Sequence, residues 1–352
     1  MIARLQLLAA ALALTLAAGC HTTRQQPPER VEFQRLEMGM PVRMVLYATD
    51  PARARLAAKT AFDRIRELNL IVSDYEDDSE INRLRHNSGS GRWLPVSREL
   101  WTVLRHADRL ARETDGAFDI TAGPLIQLWK RARRQRALPD PEKLAEARTR
   151  VGHYYLDYRV KDRAVVLWQK DMRPDLGGIA KGFVMDEAMT VLKQHGIRSA
   201  LINAGGDMVM SGPPPGESGW RIELPRLDST NHADSAFIEL RDAAFATSGD
   251  RYQFVLLDGK RYSHIVDPRT GVGLSDHSLV YVVARDGMTA DALATASSVM
   301  EPEKAVRLVS RYGARAMIQR RPGTEVETTL SAGFDQLIQG FGNTKRQNSK
   351  SR

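Results

Sequence analysis

Asp175-Leu-Gly-Gly-Ile-Ala-Lys-Gly182 concentrates residue types that suit phosphate chemistry. The apolar run Ala164 to Trp168 before it reads as a strand. Lys181 to His195 after it reads as a helix, with Phe183, Met185, Ala188, Val191 and Leu192 at apolar spacing and Gly196 as its stop. Adjacent glycines let the backbone approach a bulky group with amide N–H groups directed at it. A glycine turn feeding a helix N-terminus favours an anion, and Lys181 adds a positive charge. A tight turn alone would use the same two glycines.

Four further stretches carry groups that do chemistry. Gly116-Ala-Phe-Asp-Ile-Thr-Ala-Gly-Pro-Leu-Ile-Gln-Leu-Trp129 alternates Phe118 and Ile120 with Asp119 and Thr121, then turns at Gly123-Pro124. Leu201-Ile-Asn-Ala-Gly-Gly-Asp207 is a strand entering a double-glycine turn, where Asn203 and Asp207 are ordinary turn residues. Tyr262-Ser-His-Ile-Val-Asp-Pro-Arg-Thr-Gly271 offers His264 and Asp267 as bases, with Asp175 of the first stretch as a further candidate, His264 being neutral near pH 7. In Thr289-Ala-Asp-Ala-Leu-Ala-Thr-Ala296, Asp291 and Thr295 share a helix face. A carboxylate and a hydroxyl there suit a hard cation such as magnesium; a carboxylate placed for the helix dipole is the plainer account. Walker A, Gly-x-Gly-x-x-Gly, His-Glu-x-x-His and Gly-x-Ser-x-Gly are all missing. Scattered histidines and a single cysteine speak against structural zinc.

The elements that must position these groups are readable in outline. Pro51 to Leu70 is an amphipathic helix with Ala54, Ala57, Ala58, Ala61, Phe62, Ile65 and Leu68 on one face. Ser97 caps a second helix that closes near Gly116, and Asp140-Pro141 starts a third. Val42 to Ala48 reads as a strand. After residue 198 short strands dominate: Ala200–Asn203, Met208–Met210, Trp220–Leu224, Tyr252–Leu257 and Leu279–Ala284. The helices Ala290–Met300 and Pro302–Tyr312 are set among them. Helices early and mostly antiparallel strands late predict an α+β protein, one large domain of two packed lobes at 33–340. Residues 1–19 read as a secretory leader, with Arg4 before an apolar run. Ala17-Ala-Gly-Cys20 looks like a bacterial lipobox, which implies lipidation of Cys20 and an extracytoplasmic, membrane-anchored protein. Residues 20–32 read as a polar tether and 341–352 as a basic, disordered tail. Leader and tail supply five of the eight net positive charges, so the basic balance is no nucleic-acid footprint.

Taken in order, Met38-Gly39, Ala117 to Leu125, Asp175 to Gly182, Leu201 to Asp207, Tyr262 to Gly271 and Ala290 to Ala296 closely resemble the FAD:protein FMN transferases, the ApbE-type flavin transferases. The resemblance spans roughly residues 35–320. It implies an α+β enzyme that uses Mg²⁺ to move the FMN half of FAD onto a threonine or serine of a client, releasing AMP. The client is expected to be a membrane redox-complex subunit. Carried over residue by residue, the resemblance assigns Mg²⁺ to Asp291, Thr295 and the Gly178 carbonyl. It assigns FAD contacts to Met38, Tyr75, Ala117, Phe118, Asp119, Asp175, Lys181 and Ile265 beside His264. Met40 stands where threonine is usual, which removes a hydroxyl from that turn. FAD hydrolysis to FMN and AMP, and a non-catalytic flavin-binding lipoprotein, are the alternatives.

Overall fold

The computed structural model describes residues 27–227, 235–251 and 253–339. The leader, Cys20, the tether to residue 26 and the basic tail lie outside them, as does Tyr252, the expected start of one strand. Eight strands form one sheet whose order follows the chain: β1 (Glu29–Glu37), β2 (Met40–Ala48), β3 (Ser199–Ala204), β4 (Asp207–Met210), β5 (Ala243–Gly249), β6 (His277–Ala284), β7 (Arg315–Arg321) and β8 (Glu327–Leu330). Every neighbouring pair is antiparallel.

Period-two alternation makes this sheet the middle layer. Val42, Met44, Leu46, Ala200, Ile202, Val280 and Val282 face a helical layer. Their neighbours Val45, Leu201, Leu279 and Tyr281 face a three-stranded sheet of Trp220–Leu224, Ala236–Leu240 and Ile338–Gln339. The expected tether is shorter than the sequence suggested, because residues 29–32 already belong to β1. Glu32 there pairs with Arg30 and Arg43, so polar outward positions hide the inward alternation of Val31 and Phe33.

Eight helices are described: α1 (Pro51–Val72), α2 (Glu80–His86), α3 (Arg98–Glu113), α4 (Gly123–Gln135), α5 (Pro141–Arg148), α6 (Ala180–Gln194), α7 (Gly287–Val299) and α8 (Pro302–Arg311). The Asp50 carboxylate accepts from the Ala52 N–H to start α1, and the Ser97 hydroxyl accepts from the Leu100 N–H to start α3. Gly123-Pro124 does not turn the chain as expected but opens α4, with proline in the first turn where its missing N–H costs nothing. Leu125, Trp129 and Ala132 make the buried stripe of α4, against α5 and the short strand Val266–Asp267.

α6 and α7 cross where each carries a glycine. A Cβ on Gly182 would lie 1.9 Å from the Gly287 carbonyl oxygen, so the backbones touch. Asp186 of α6 fixes the crossing by accepting from the Gly287 and Met288 N–H groups at 2.7 and 2.9 Å. Desolvation of this carboxyl raises its pKa to about 7, against the two backbone donors that favour its ionised form. Along α7 only Met288 and Thr295 are not fully buried.

Candidate active site

The glycine crossing brings Lys181, at the start of α6, against Asp291 of α7. The Lys181 ammonium donates to Asp207 at the start of β4 and, at 3.3 Å, to Asp291 Oδ1. The Gly182 N–H holds Asp291 Oδ2 at 3.1 Å, and the Thr247 N–H of β5 holds Asp207 Oδ1 at 2.8 Å. Each carboxylate thus has one oxygen pinned by backbone and the other turned to Lys181. Asp207 and Asp291 are 1% and 3% exposed. Burial raises the Asp291 pKa to about 6, with Lys181 pulling it down and Asp207 pushing it up. Burial also works against the Lys181 charge, yet its two carboxylates win and raise its pKa. Asp291 is therefore a buried carboxylate already paired with a cation, not one open to solvent.

One turn further along α7, Thr295 meets the loop before α6. A Cβ on Gly178 would stand 2.8 Å from Thr295 Cγ2 and 2.9 Å from its Oγ1. Position 178 must therefore be glycine for the loop to lie against that hydroxyl. The three predicted metal positions are contiguous in space. Among the described residues no group of three or more His, Cys, Asp or Glu side chains is arranged for a metal. A magnesium site here would depend on one carboxylate and neutral oxygens.

The 120–123 segment runs beside 173–175. The Asp175 N–H donates to the Ile120 carbonyl at 2.7 Å, Ala122 bridges Arg173, and a Cβ on Gly123 would fall 2.1 Å from the Arg173 carbonyl oxygen. Asp119 is consumed inside this loop. It accepts from the Thr121 N–H and hydroxyl and from the His153 N–H, and burial raises its pKa. Ala117 and Phe118 are core residues, 2% and 4% exposed, so that run can offer a ligand chiefly backbone. The Gly177 N–H is likewise spoken for, donating to Asp175 Oδ1 at 2.9 Å, so the turn is less open than its sequence implies. Lys130 of α4 lies 3.6 Å from Asp175 Oδ2 and donates to the Tyr75 hydroxyl at 2.9 Å, its ammonium 4.9 Å from the ring centre. Tyr75 itself is 74% exposed, an aromatic face available for stacking.

His264 follows the hairpin Phe254–Leu257/Lys260–Ser263. Its backbone N–H and its Nδ1 both reach the Gln253 carbonyl, at 3.0 and 3.1 Å. A carbonyl only accepts, so Nδ1 carries the hydrogen and Nε2 keeps a lone pair. Burial lowers the His264 pKa, helped by the charges of Arg133 and Lys181, and keeps the imidazole neutral at pH 7. Asp267 has a different fate. Arg269 grips both its oxygens at 2.9 and 2.8 Å and adds its own N–H, which leaves Asp267 a poor base. Trp129 ties this region to α4 through the Gly271 carbonyl at 2.8 Å. Met38 takes φ 51° in the β1–β2 turn, and Met40 Sδ would lie 3.2 Å from a Cβ on Gly205, so this turn adjoins the glycine turn that leads to Asp207. Ile265 packs partly buried against the main core.

The ApbE family profile matches residues 38–318, and the motifs that build these contacts lie within that span. The chain belongs to the ApbE family. An FAD:protein FMN transferase of Salmonella typhimurium is 30% identical over 335 residues, covering 92% of this chain and 94% of that protein. One of Vibrio cholerae is 33% identical over 304 residues, covering 84% and 88%. The solved flavin transferase ApbE of Vibrio cholerae superposes with TM-score 0.80 at 29% identity, covering 88% of this chain and 100% of that one. The apo flavinyl transferase ApbE of Pseudomonas stutzeri superposes with TM-score 0.78 at 26% identity, covering 91% and 99%.

Within this ApbE fold three residues join the site that their motifs did not single out. Asp207 reads as a turn residue, Lys130 follows an apolar run, and Gln253 acts on His264 through its backbone, which no residue pattern reveals. A separate cleft of about 760 Å³, lined among others by Glu113, Asp115, Arg269, Glu301, Lys304 and Arg311, contains none of the predicted site side chains.

Proposed function

We propose that this chain transfers the FMN moiety of FAD onto a threonine or serine hydroxyl of a client protein, releasing AMP. The observation that carries the reading is the meeting of Asp291, Thr295 and the Gly178 loop beside Lys181. An acidic oxygen, a hydroxyl and backbone converge there beside the Lys181 ammonium. These residues fit magnesium, which takes oxygen ligands and binds through one or two carboxylates plus substrate phosphates. Asp291 Oδ1 already holds a cation, the Lys181 ammonium. Asp291, Thr295 and the Gly178 carbonyl would hold the ion, which supplies charge neutralisation to the two phosphates of FAD.

The chain's own groups do the rest. Lys181 and the N-terminus of α6 orient the pyrophosphate, and Tyr75 offers its ring to FAD. His264 Nε2 takes the proton of the incoming hydroxyl, whose oxygen bonds to the phosphorus of the FMN half. The bond from that phosphorus to the bridging oxygen breaks, and AMP leaves with the electron pair. Asp267, held by Arg269, shapes the turn instead. The leader and Cys20 support a lipid-anchored enzyme outside the cytoplasm, working on a membrane redox-complex subunit.

The test is to incubate the protein with FAD, Mg²⁺ and a client carrying the acceptor threonine. A covalently fluorescent client, with the label lost when that threonine becomes alanine, is the expected result. Release of FMN and AMP with no label on the client would replace transfer by hydrolysis.

A further inference from the structure

Lys181 stands between two buried carboxylates that have different duties. Asp291 belongs to the proposed magnesium set, whereas Asp207 does not, one of its oxygens being pinned by the β5 backbone and the other paired with the Lys181 ammonium. Lys181 cannot stay at 3.3 Å from Asp291 Oδ1 while a dication takes that oxygen, because like charges in a buried site repel strongly. It also cannot simply leave, since Asp207 is almost completely buried and would be an unpaired charge.

We infer that Asp207 is a positioning residue that holds Lys181 in reserve. With the metal site empty, Lys181 bridges Asp207 and Asp291 as an internal counter-ion. When Mg²⁺ arrives, Lys181 gives up Asp291, keeps Asp207, and its freed hydrogen-bonding capacity turns to the substrate phosphate. The inference rests on the magnesium assignment made above and adds to it the residue that makes the exchange possible. Two features favour exchange over a rigid salt bridge. Asp207 and Asp291 are each fixed by a backbone N–H, so neither carboxylate follows the ammonium. Lys181 is the partner on the longer, more flexible stem, its side chain 23% exposed while both carboxylates are closed off.

A binding cycle on FAD-free protein separates this from ordinary attraction between Asp207 and the metal. Asp207→Asn keeps an oxygen for the Thr247 N–H but leaves Lys181 only Asp291 to pair with. In calorimetric titration with Mg²⁺ this variant is expected to bind at least ~10-fold more weakly than wild type. In a Lys181→Met background the same substitution is expected to change affinity less than ~3-fold, because no ammonium is left to compete. Lys181→Met alone is expected to bind Mg²⁺ more tightly than wild type. Equal losses in both backgrounds, or no binding by either wild type or Lys181→Met, would overturn the inference.

If Lys181→Met does not fold, the ammonium resonance of isotope-labelled Lys181 gives the answer. It should shift on adding Mg²⁺ yet stay protected from exchange in wild type, and lose protection in Asp207→Asn. A resonance unmoved by Mg²⁺ would overturn the exchange. Asp291→Ala is the control for the underlying assignment. Wild-type Mg²⁺ affinity in that variant overturns the magnesium assignment itself, whereas lost affinity combined with additive Asp207 and Lys181 effects overturns only the exchange.

Discussion

Gly178→Ala probes the site through a single methyl group. Gly178 lies outside the left-handed backbone region, so alanine is permitted there and any effect comes from contact. The new Cβ would lie 2.8 Å from Thr295 Cγ2 and 2.9 Å from Oγ1. Ordinary carbon contacts need about 3.5–4.0 Å, so the Thr295 side chain or the loop must retreat by roughly 0.7–1.2 Å. Overpacking of this kind costs about 1–3 kcal/mol, offset by about 0.4–1 kcal/mol because alanine restricts the unfolded chain. The melting temperature should therefore fall by only a few degrees. A group displaced by about 1 Å at a reacting centre loses on the order of 10²-fold in rate. Initial rates of client flavinylation at varied Mg²⁺, beside a calorimetric melt, give both numbers. A near-wild-type rate with unchanged Mg²⁺ dependence would refute the placement of Thr295 and Gly178 in the metal set.

Asp186→Asn should alter how stability depends on pH. A carboxyl raised from 3.8 to about 7 by burial binds its proton more tightly folded than unfolded. Wild-type stability should then fall between about pH 4 and 7 relative to the variant, by on the order of 4 kcal/mol in full, as denaturant melts across that range would show. A parallel dependence in both proteins would exclude Asp186 as the source. For His264, which must be neutral to accept a proton, the lowered pKa puts the acid limb of the transfer rate below pH 6.5. A limb centred above 6.5 would contradict His264 Nε2 as the base. Cys20→Ser should release soluble protein of unchanged specific activity from membranes, and an unmodified Cys20 thiol in the native protein's mass spectrum would refute lipidation.

The readable parts of the fold were those where local pattern and tertiary role coincide. The α1 stripe from Ala54 to Leu68, the Ser97 cap and the strands near 200, 220 and 280 follow apolar spacing directly. β1 escaped because ion pairs outweigh its two inward apolar residues, and α4 because Gly-Pro reads as a turn until Leu125 and Trp129 are seen to share a face. Residue type and motif order named Lys181, His264, Asp291 and Thr295 as candidates, and the fold brings Lys181, Asp291 and Thr295 together. Partnership was not legible. That Arg269 takes both oxygens of its near neighbour Asp267 depends on side-chain geometry, whereas the His153 N–H on Asp119 and the sharing of Lys181 by Asp207 and Asp291 join segments from 26 to 110 residues apart. The Gly182–Gly287 crossing that sets this geometry looks in sequence like two unrelated helix glycines.

The most direct test of the account is a crystal structure of the protein with FAD and Mg²⁺ bound. The pyrophosphate should lie over the start of α6 beside Lys181, with the metal on Asp291, Thr295 and the Gly178 carbonyl and the FMN phosphorus facing His264 Nε2. FAD bound instead in the cleft of Glu113, Lys304 and Arg311, or a metal that leaves Asp291 paired with Lys181, would contradict it.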